Sequence, residues 1–309
     1  MKESYHICFT SHNEVLFRDR EDHGYFINLM ALRGFASETA LLADAEMSNH
    51  IHLNVFTDNP ADFGGRLRMS YTKYLNHKYG RKGRMGEPGL YILKVKGVNH
   101  QIALDNYILR NGLHHGAASN AWGYPWCSAR AMFAEDFGYP PPRETIRERH
   151  IMNTLLPRHS EYPDSWVMDG EGVFLRNSFM EIRQVEQFYV TPRNFLFQMN
   201  RLTDESWDRD QEKDGTGRPV RLADVEVGWT ESDIAAMLRN ENGRCFRPDR
   251  MQDLDVCQLI DKQLLPKYRV CSVYGLEDSQ KRQIARILYH EYHLPEQQIC
   301  RCLVYNSAR

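Results

Sequence analysis

The sequence predicts an α+β fold, in which a mainly antiparallel sheet carries helices on one side and a mostly α-helical C-terminal region follows. Three observations lead to this prediction. Strand-like and helix-like segments alternate through the first 112 residues of the 309-residue chain. The hydrophobic fraction of 42% and the charged fraction of 26% are those of a soluble globular protein. Apolar stripes at helical spacing recur near the C-terminus.

The first strand is predicted at residues 5–10, where apolar and polar side chains alternate. A helix is predicted at residues 20–33, because its apolar residues recur at helical spacing. A second strand is predicted at residues 39–45, and a short turn then leads into a third strand at residues 50–56.

A long helix is predicted after Asn59 and Pro60, an N-cap residue followed by proline at the first helical position. The glycine-rich basic segment 80–89 reads as a loop, and residues 90–98 read as a fourth strand. A helix over residues 99–111 is predicted to end at Gly112. The order β-α-β-β-α-β-α favours a ferredoxin-like arrangement of one sheet.

Two histidines mark the third strand as a candidate functional segment. His50 and His52 project from the same face of a strand, and Ile51 points to the other. Imidazole pairs bind divalent metals when a third ligand arrives from elsewhere, although ordinary strand surface also carries such pairs. Tyr107 and Asn111 lie four residues apart and so share a helix face. Glu46 is an optional extra ligand.

Basic residues are concentrated between residues 66 and 130, where eleven basic and two acidic residues give a net charge of +9. This excess fits a polyanionic partner such as nucleic acid, and a solvated charged face is the alternative. The candidate DNA-binding residues in this segment are Arg66, Lys73, Arg81, Lys82, Arg84, Lys94, Lys96 and Arg110.

The cellular location of the chain and the redox state of its cysteines are predicted from targeting, membrane and cysteine patterns that the sequence lacks. The N-terminal residues lack the apolar segment of a signal peptide, and no later stretch has the uninterrupted apolar length of a membrane helix. The seven cysteines are odd in number and lack paired Cys-x-x-Cys spacing. We therefore expect a cytoplasmic chain with reduced thiols and no membrane partner.

The second half of the chain is divided at a run of prolines, residues 140–142. We expect domains at residues 1–138 and 241–309, with an accessory region of unknown role at 139–240 and a polar loop at 203–219. Helices at residues 279–289 and after Pro295 have the spacing of a helix-turn-helix, and an ordinary helical bundle is the alternative. The outward residues that suit base reading are Gln297, Gln298 and Arg301.

Four short motifs, each weak by itself, are informative through their order and spacing along the chain. They are Met47-Ser48-Asn49 before the histidine pair, the basic helix that ends in Tyr79-Gly80-Arg81, the helical segment from Asp105 to Asn111, and Tyr124-Pro125-Trp126-Cys127-Ser128. Together they resemble the single-tyrosine HUH transposases of bacterial insertion sequences, and most nearly the REP-associated tyrosine transposases. The resemblance covers residues 5–133, less than half of the chain.

The resemblance implies an HUH nuclease domain with Tyr107 as the nucleophile. It implies that His50, His52 and Asn111 bind a divalent metal, Mg²⁺ or Mn²⁺. The resembled enzymes bind single-stranded DNA at hairpin ends, cut one strand and hold its 5′ end as a phosphotyrosine. They can assemble active sites from two subunits, so a homodimer is one arrangement that the resemblance implies. The sequence leaves open whether Tyr107 acts in its own subunit.

The chain departs from the family at one motif. The family commonly reads Tyr-Ile-His-Leu-Asn-Pro where this chain has the segment from Tyr107 to Gly112, which keeps the tyrosine and the asparagine but lacks the histidine and the proline. Two other functions therefore stay open. One is a catalytically inactive DNA-binding protein derived from such a transposase, and the other is a metal-dependent hydrolase of small phosphate compounds.

Overall fold

The computed structural model of the protein describes residues 1–200 and 251–305. In these ranges the strands are β1 (Glu3–Thr10), β2 (Ala40–Glu46), β3 (His50–Thr57), β4 (Tyr91–Lys94), β5 (Thr145–Ile146) and β6 (Met168–Asp169). The α-helices are α1 (Arg20–Ala36), α2 (Pro60–Tyr79), α3 (Gly97–Leu109), α4 (Asn111–His114), α5 (Arg149–Leu155), α6 (Arg176–Phe179), α7 (Ile182–Tyr189), α8 (Pro192–Met199), α9 (Asp253–Leu259), α10 (Asp278–His290) and α11 (Glu296–Leu303).

The main sheet has the strand order β2-β3-β1-β4, and every neighbouring pair is antiparallel. Ile51, Leu53 and Val55 are fully buried in the core that α1 and α2 cover on one face. The helix α3 lies on the other face, where its Tyr107 reaches the histidines of β3. The predicted α+β class with an antiparallel sheet and a helical C-terminal region is confirmed. The predicted placement of the helices on one side of the sheet is wrong for α3, which packs on the second face through Asp105 and Tyr107.

The helices α1 and α2 begin at residues whose side chains satisfy free backbone N–H groups. The carboxylate of Asp19 caps α1 in a reciprocal arrangement with Asp22. Asn59 caps α2 by accepting from the N–H of Asp62, and Pro60 takes the first helical position. The predicted start of α2 is therefore confirmed.

The structure differs from the sequence expectations around β4 and α3. The strand β4 covers only Tyr91–Lys94, because Gly97 has a positive φ of 77° and already begins α3. Gly112 does not end α3 but lies inside the short helix α4. A Cβ atom at this position would overlap the side chain of Tyr124, so close packing is the reason for a glycine here.

The expectation for Glu46 is wrong. The turn between β2 and β3 pairs Glu46 with Ile51, and cross-strand partners share a face of the sheet. The carboxylate of Glu46 therefore lies on the face opposite the histidine pair. It is fully buried there, 3.6 Å from the imidazole of His23 and 3.5 Å from the guanidinium of Arg176.

The segment after the proline run packs onto the main sheet and α1. Buried residues of α7 and α8, such as Val185 and Phe195, belong to the same core as the main sheet. Trp166 and Phe174 pack with Met152 in a smaller core beside α1. The predicted loop at 203–219 and the boundary at 240 lie outside the described residues, and the three domain ranges stay predictions.

The C-terminal helices α9, α10 and α11 form a core of their own that includes Val15 from the first half of the chain. The guanidinium of Arg18 is buried between the two parts. It donates to both carboxylate oxygens of Asp261, at 2.7 and 3.1 Å, and to the carbonyl of Cys302 at 2.8 Å. Such a buried charge persists only because it is fully paired.

Two further findings concern the whole of the described chain. The cysteines that lie in its two ranges are all free thiols. No helix within residues 1–200 or 251–305 combines the length and the apolar character needed to span a membrane.

Candidate active site

The sheet, α3 and the first residue of α4 bring the four predicted active-site residues together. The hydroxyl of Tyr107 lies 3.3 Å from Nε2 of His52. The side-chain oxygen of Asn111 lies 3.2 Å from Nε2 of His50. Both histidines are buried, and their ring centroids are 5.0 Å apart. His50 and His52, two residues apart on one face of a strand, therefore meet Tyr107 and Asn111, which are one helical turn apart.

The orientation of the His50 ring follows from its neighbour. Nδ1 of His50 lies 2.9 Å from the amide oxygen of Asn49. Because that oxygen can only accept, Nδ1 carries the proton, and the lone pair of the neutral ring is on Nε2. This lone pair faces the amide oxygen of Asn111, so two acceptors meet at 3.2 Å.

The side-chain amide of Asn111 is oriented with its oxygen towards His50. Its Nδ2 is buried and has no hydrogen-bond partner among the described residues, while its oxygen points at His50. A buried donor without a partner is costly, and an acceptor facing an acceptor adds repulsion. A cation between the two acceptors would remove this repulsion, so the residues present fit a metal ligand set.

His52 is oriented by a histidine that the sequence analysis did not single out. Nδ1 of His52 lies 2.9 Å from Nε2 of His6 on β1, and the two rings are stacked. When this Nδ1 donates, the lone pair of His52 is on Nε2, the atom beside Tyr107. Metal-binding histidines commonly donate their second ring N–H to a carboxylate, a backbone carbonyl or water, and here the neighbouring atom is a ring nitrogen of His6. The alternation of β1 already placed His6 on the polar face of the sheet.

Both histidines are kept in the form that binds metals. Burial lowers the pKa of His50 to about 4, an effect partly opposed by the hydrogen bond that a protonated ring would donate to the oxygen of Asn111. Burial also lowers the pKa of His52 well below its ordinary value, and the neighbouring His50 and His6 act in the same direction. The rings are therefore neutral at pH 7, with lone pairs available as ligands.

The third member of the candidate ligand set is the amide of Asn111, where many metal sites have a third imidazole or a carboxylate. No group of three or more His, Cys, Asp or Glu side chains with the arrangement of a metal site occurs in the described part of the chain. Two imidazoles and an amide oxygen leave coordination positions open for phosphate and water, as a catalytic site requires.

Tyr107 differs from the other tyrosines that are candidates for a nucleophile. Tyr74 and Tyr79 donate to the buried carboxylate of Asp22, and Tyr71 donates to the carbonyl of Leu16. Burial raises the pKa of Tyr74, and the charge of Asp22 raises it further. These three hydroxyls form hydrogen bonds with groups in and just before α1, whereas the hydroxyl of Tyr107 faces the histidines.

A group of buried hydrogen bonds fixes α3 against the sheet. The carboxylate of Asp105 accepts from the amide of Asn54 at 2.6 Å and from that of Gln101 at 3.0 Å. The hydroxyl of Ser4 lies between the two amide oxygens, at 3.1 and 2.8 Å, and can donate its single proton to either one. This group of bonds sets the position of Tyr107, two residues after Asp105, along β3.

Asp105 also gives the stability of the fold a measurable pH dependence. Burial raises its pKa from 3.8 to about 7, although the bonds from Gln101 and Asn54 lower it. Because the folded carboxyl holds its proton more tightly than the unfolded one, its stabilising contribution is full below about pH 4 and is lost towards pH 7. We expect wild type to lose up to about 4 kcal/mol relative to Asp105→Asn over this range. Urea unfolding at several pH values measures it, and a constant difference between the two proteins would contradict the assignment.

The structure separates the predicted basic residues into paired and exposed groups. Arg81 does not present its charge to solvent, because its guanidinium is buried against the carboxylate of Glu14 and backbone carbonyls. Lys94 pairs with Glu3. Arg66 pairs with Asp62, one turn away, and Arg110 is half-buried. Arg66 and Lys94 are exposed although they are paired, and the other exposed members of the predicted set are Lys73, Lys82, Arg84 and Lys96.

The C-terminal residues predicted to read bases are also divided. Gln297 is exposed as expected. The outward placement of Gln298 is wrong, because its side chain is buried and donates to Asp253 at 2.9 Å. Arg301 donates to both carboxylate oxygens of Asp253, at 2.6 and 2.7 Å, and is not directed at solvent as a free cation. The helices α10 and α11 themselves lie where the sequence predicts them.

Comparison with known proteins finds only a distant likeness. No protein-family model and no curated protein matches the chain. A solved structure described as "Structure of the REP associates tyrosine transposase bound to a REP hairpin" is similar to it at 13% identity and a TM-score of 0.39. The match covers 45% of this chain and 84% of that one. A likeness at this level does not show what reaction the chain catalyses or whether it catalyses one.

Proposed function

We propose that the chain is a transposase-like DNA endonuclease and strand transferase that acts on single-stranded, hairpin-associated DNA. In this proposal Tyr107 attacks a phosphodiester and holds the cut 5′ end as a phosphotyrosine. The observation that carries the proposal is the placement of the Tyr107 hydroxyl 3.3 Å from His52, beside the contact between His50 and Asn111. A nucleophile next to a candidate ligand set is the arrangement that phosphoryl transfer needs.

The proposed reaction exchanges one phosphoester for another. The tyrosine oxygen forms a bond to phosphorus and loses its proton, while the bond to the 3′ oxygen breaks and that oxygen gains a proton. A tyrosine hydroxyl is a poor nucleophile at neutral pH because its ordinary pKa is about 10. A divalent metal, Mg²⁺ or Mn²⁺, held by His50, His52 and Asn111 would polarise the scissile phosphate and stabilise the developing charge.

The side chains around Tyr107 prepare it for this step. The ring of His52 packs edge-on against the ring of Tyr107 and holds it in place. Tyr107 is 6% exposed, so a scissile phosphate would reach its hydroxyl only after neighbouring side chains move. A free 3′-hydroxyl could then attack the phosphotyrosine and displace the tyrosine oxygen, which amounts to strand transfer without an external energy source.

The experiment that tests the proposal uses the full chain, Mn²⁺ and a library of hairpin oligonucleotides with single-stranded flanks. Each oligonucleotide carries a label at its 3′ end, because a 5′-phosphotyrosine leaves the 3′ fragment on the protein. We expect a labelled band that survives denaturing electrophoresis and is absent with EDTA. DNA binding without any such band would favour the inactive DNA-binding alternative.

The exposed cations give a second expectation for the same DNA. Phosphate contacts release counterions, so each one adds about 0.7 to the slope of log affinity against log salt for single strands. Replacing Lys73, Lys82 and Arg84 with alanine should therefore reduce this slope by up to about 2. Lys94→Ala is the control, because Lys94 is already paired with Glu3. Fluorescence anisotropy titrations at four salt concentrations measure the slopes, and equal slopes would remove these residues from the interface.

A further inference from the structure

A buried carboxylate of the C-terminal region is hydrogen bonded to the turn that leads into β3. Oδ2 of Asp253 accepts from the hydroxyl of Ser48 at 2.7 Å. Asp253 is 6% exposed and lies 205 positions away from Ser48 in the sequence. It also accepts from Arg301 and Gln298, so four hydrogen bonds hold its two oxygens.

Asp253 is held in its ionised form. Burial alone would raise its pKa, but the charge of Arg301 and the hydrogen bonds from Arg301, Ser48 and Gln298 bring it below the ordinary value. Hydrogen bonds to a charged acceptor are among the stronger ones in proteins. The bond to Ser48 is therefore a firm connection between the two parts of the chain.

The turn that Asp253 holds is also fixed on its other side. The carbonyl of Ser48 accepts from the N–H of Leu16 at 2.6 Å, and the carbonyl of Asn49 accepts from the N–H of Ser11 at 2.8 Å. The turn itself is closed by a bond from the N–H of Met47 to the carbonyl of His50 at 2.8 Å. The side chain of Asn49, one residue after Ser48, then orients the His50 ring.

We infer that Asp253 is a positioning residue for the candidate ligand His50, acting through Ser48 and the Asn49 side chain. The inference rests on the proposed function for its metal. It assigns residues 251–305 a part in building the active site, and it explains why Arg301 and Gln298 point inward at Asp253 rather than outward at DNA. Partners behind a metal ligand typically change metal affinity 10- to 100-fold when removed.

The test compares two serine substitutions that each remove one hydroxyl bond between the same two parts of the chain. Ser48→Ala removes the bond to Asp253. Ser272→Ala is the matched control, because its hydroxyl donates to the carbonyl of Tyr79 at 2.6 Å, at the end of α2 rather than at the turn. We expect Ser48→Ala to weaken Mn²⁺ binding about tenfold by calorimetry and Ser272→Ala to leave it unchanged. Ser48→Thr keeps the hydroxyl and should restore wild-type affinity.

A second readout on the metal-free chain separates this inference from the proposed metal site. In ¹⁵N NMR spectra of the imidazoles, His50 should show a slowly exchanging Nδ1–H in wild type and in Ser272→Ala, and a fast-exchanging one in Ser48→Ala. Asn49→Ala, which removes the acceptor itself, should reproduce the fast exchange. A wild-type chain that binds no Mn²⁺ would count against the metal site, and the NMR result would still decide the inference. Equal exchange in all variants, or affinity losses that merely follow the loss of thermal stability, would overturn it.

Discussion

Replacing Tyr107 with phenylalanine is expected to abolish covalent attachment of the chain to DNA, by a factor of at least about a thousand. The substitution removes the attacking oxygen and keeps the ring that packs against His52. The lost hydrogen bond leaves the buried Nε2 of His52 without this partner and should cost about 1–3 kcal/mol of stability. Binding of the uncut hairpin should therefore persist while the denaturation-resistant band disappears.

The control for this substitution is Tyr91→Phe. Tyr91 lies on the same face of the sheet, with its ring edge-on to that of His6, and the chemical change is the same. Tyr91→Phe should form the adduct at a rate near that of wild type. An adduct formed by Tyr107→Phe at the wild-type rate would move the nucleophile to another residue, and Tyr71, Tyr74 and Tyr79 would then be tested in turn.

Replacing His50 and His52 together with alanine is expected to remove Mn²⁺ binding, with affinity falling at least about 100-fold. Both candidate nitrogen ligands are lost, and a lone amide oxygen is a weak ligand. The fold should survive, because Ile51 and Leu53 on the opposite face of β3 still fill the core. Calorimetric titration with Mn²⁺, together with circular dichroism of the metal-free proteins, measures both effects.

A buried histidine on the other face of the sheet provides the control. The imidazole of His23 is stacked between the rings of Phe17 and Trp126, with centroids 4.1 Å away on each side. His23→Ala also deletes a buried ring and should destabilise the fold, but it should leave Mn²⁺ affinity unchanged. Full Mn²⁺ affinity in the double alanine variant would disprove the ligand assignment.

The parts of the site that the sequence predicts are those set by local periodicity. Alternation along β3 places His50 and His52 on one face, and the spacing of four places Tyr107 and Asn111 on one side of α3 and its continuation. Such patterns depend on the backbone alone, so they can be read without knowing the partners. The start of α2 at Asn59 and Pro60 is predictable for the same reason.

The parts that the sequence does not predict depend on partners far along the chain. Gln298 and Arg301 occupy polar positions of a helix that looked solvent-facing. In the structure the buried Gln298 donates to Asp253 at the start of α9, and the same carboxylate pairs with the charge of Arg301. Arg81 is likewise paired across 67 positions with Glu14. Polarity alone does not reveal which charges find a buried partner, because that depends on how distant segments pack.

The central claim is that Tyr107 becomes covalently joined to the 5′ phosphate of a cut DNA strand. The most direct measurement is mass spectrometry of the adduct formed with Mn²⁺ and a hairpin oligonucleotide, after digestion with nuclease and protease. The account predicts one modified peptide, in which Tyr107 carries a nucleotide through its 5′ phosphate. A nucleotide on any other residue, or on Tyr107 through a 3′ phosphate, would contradict it.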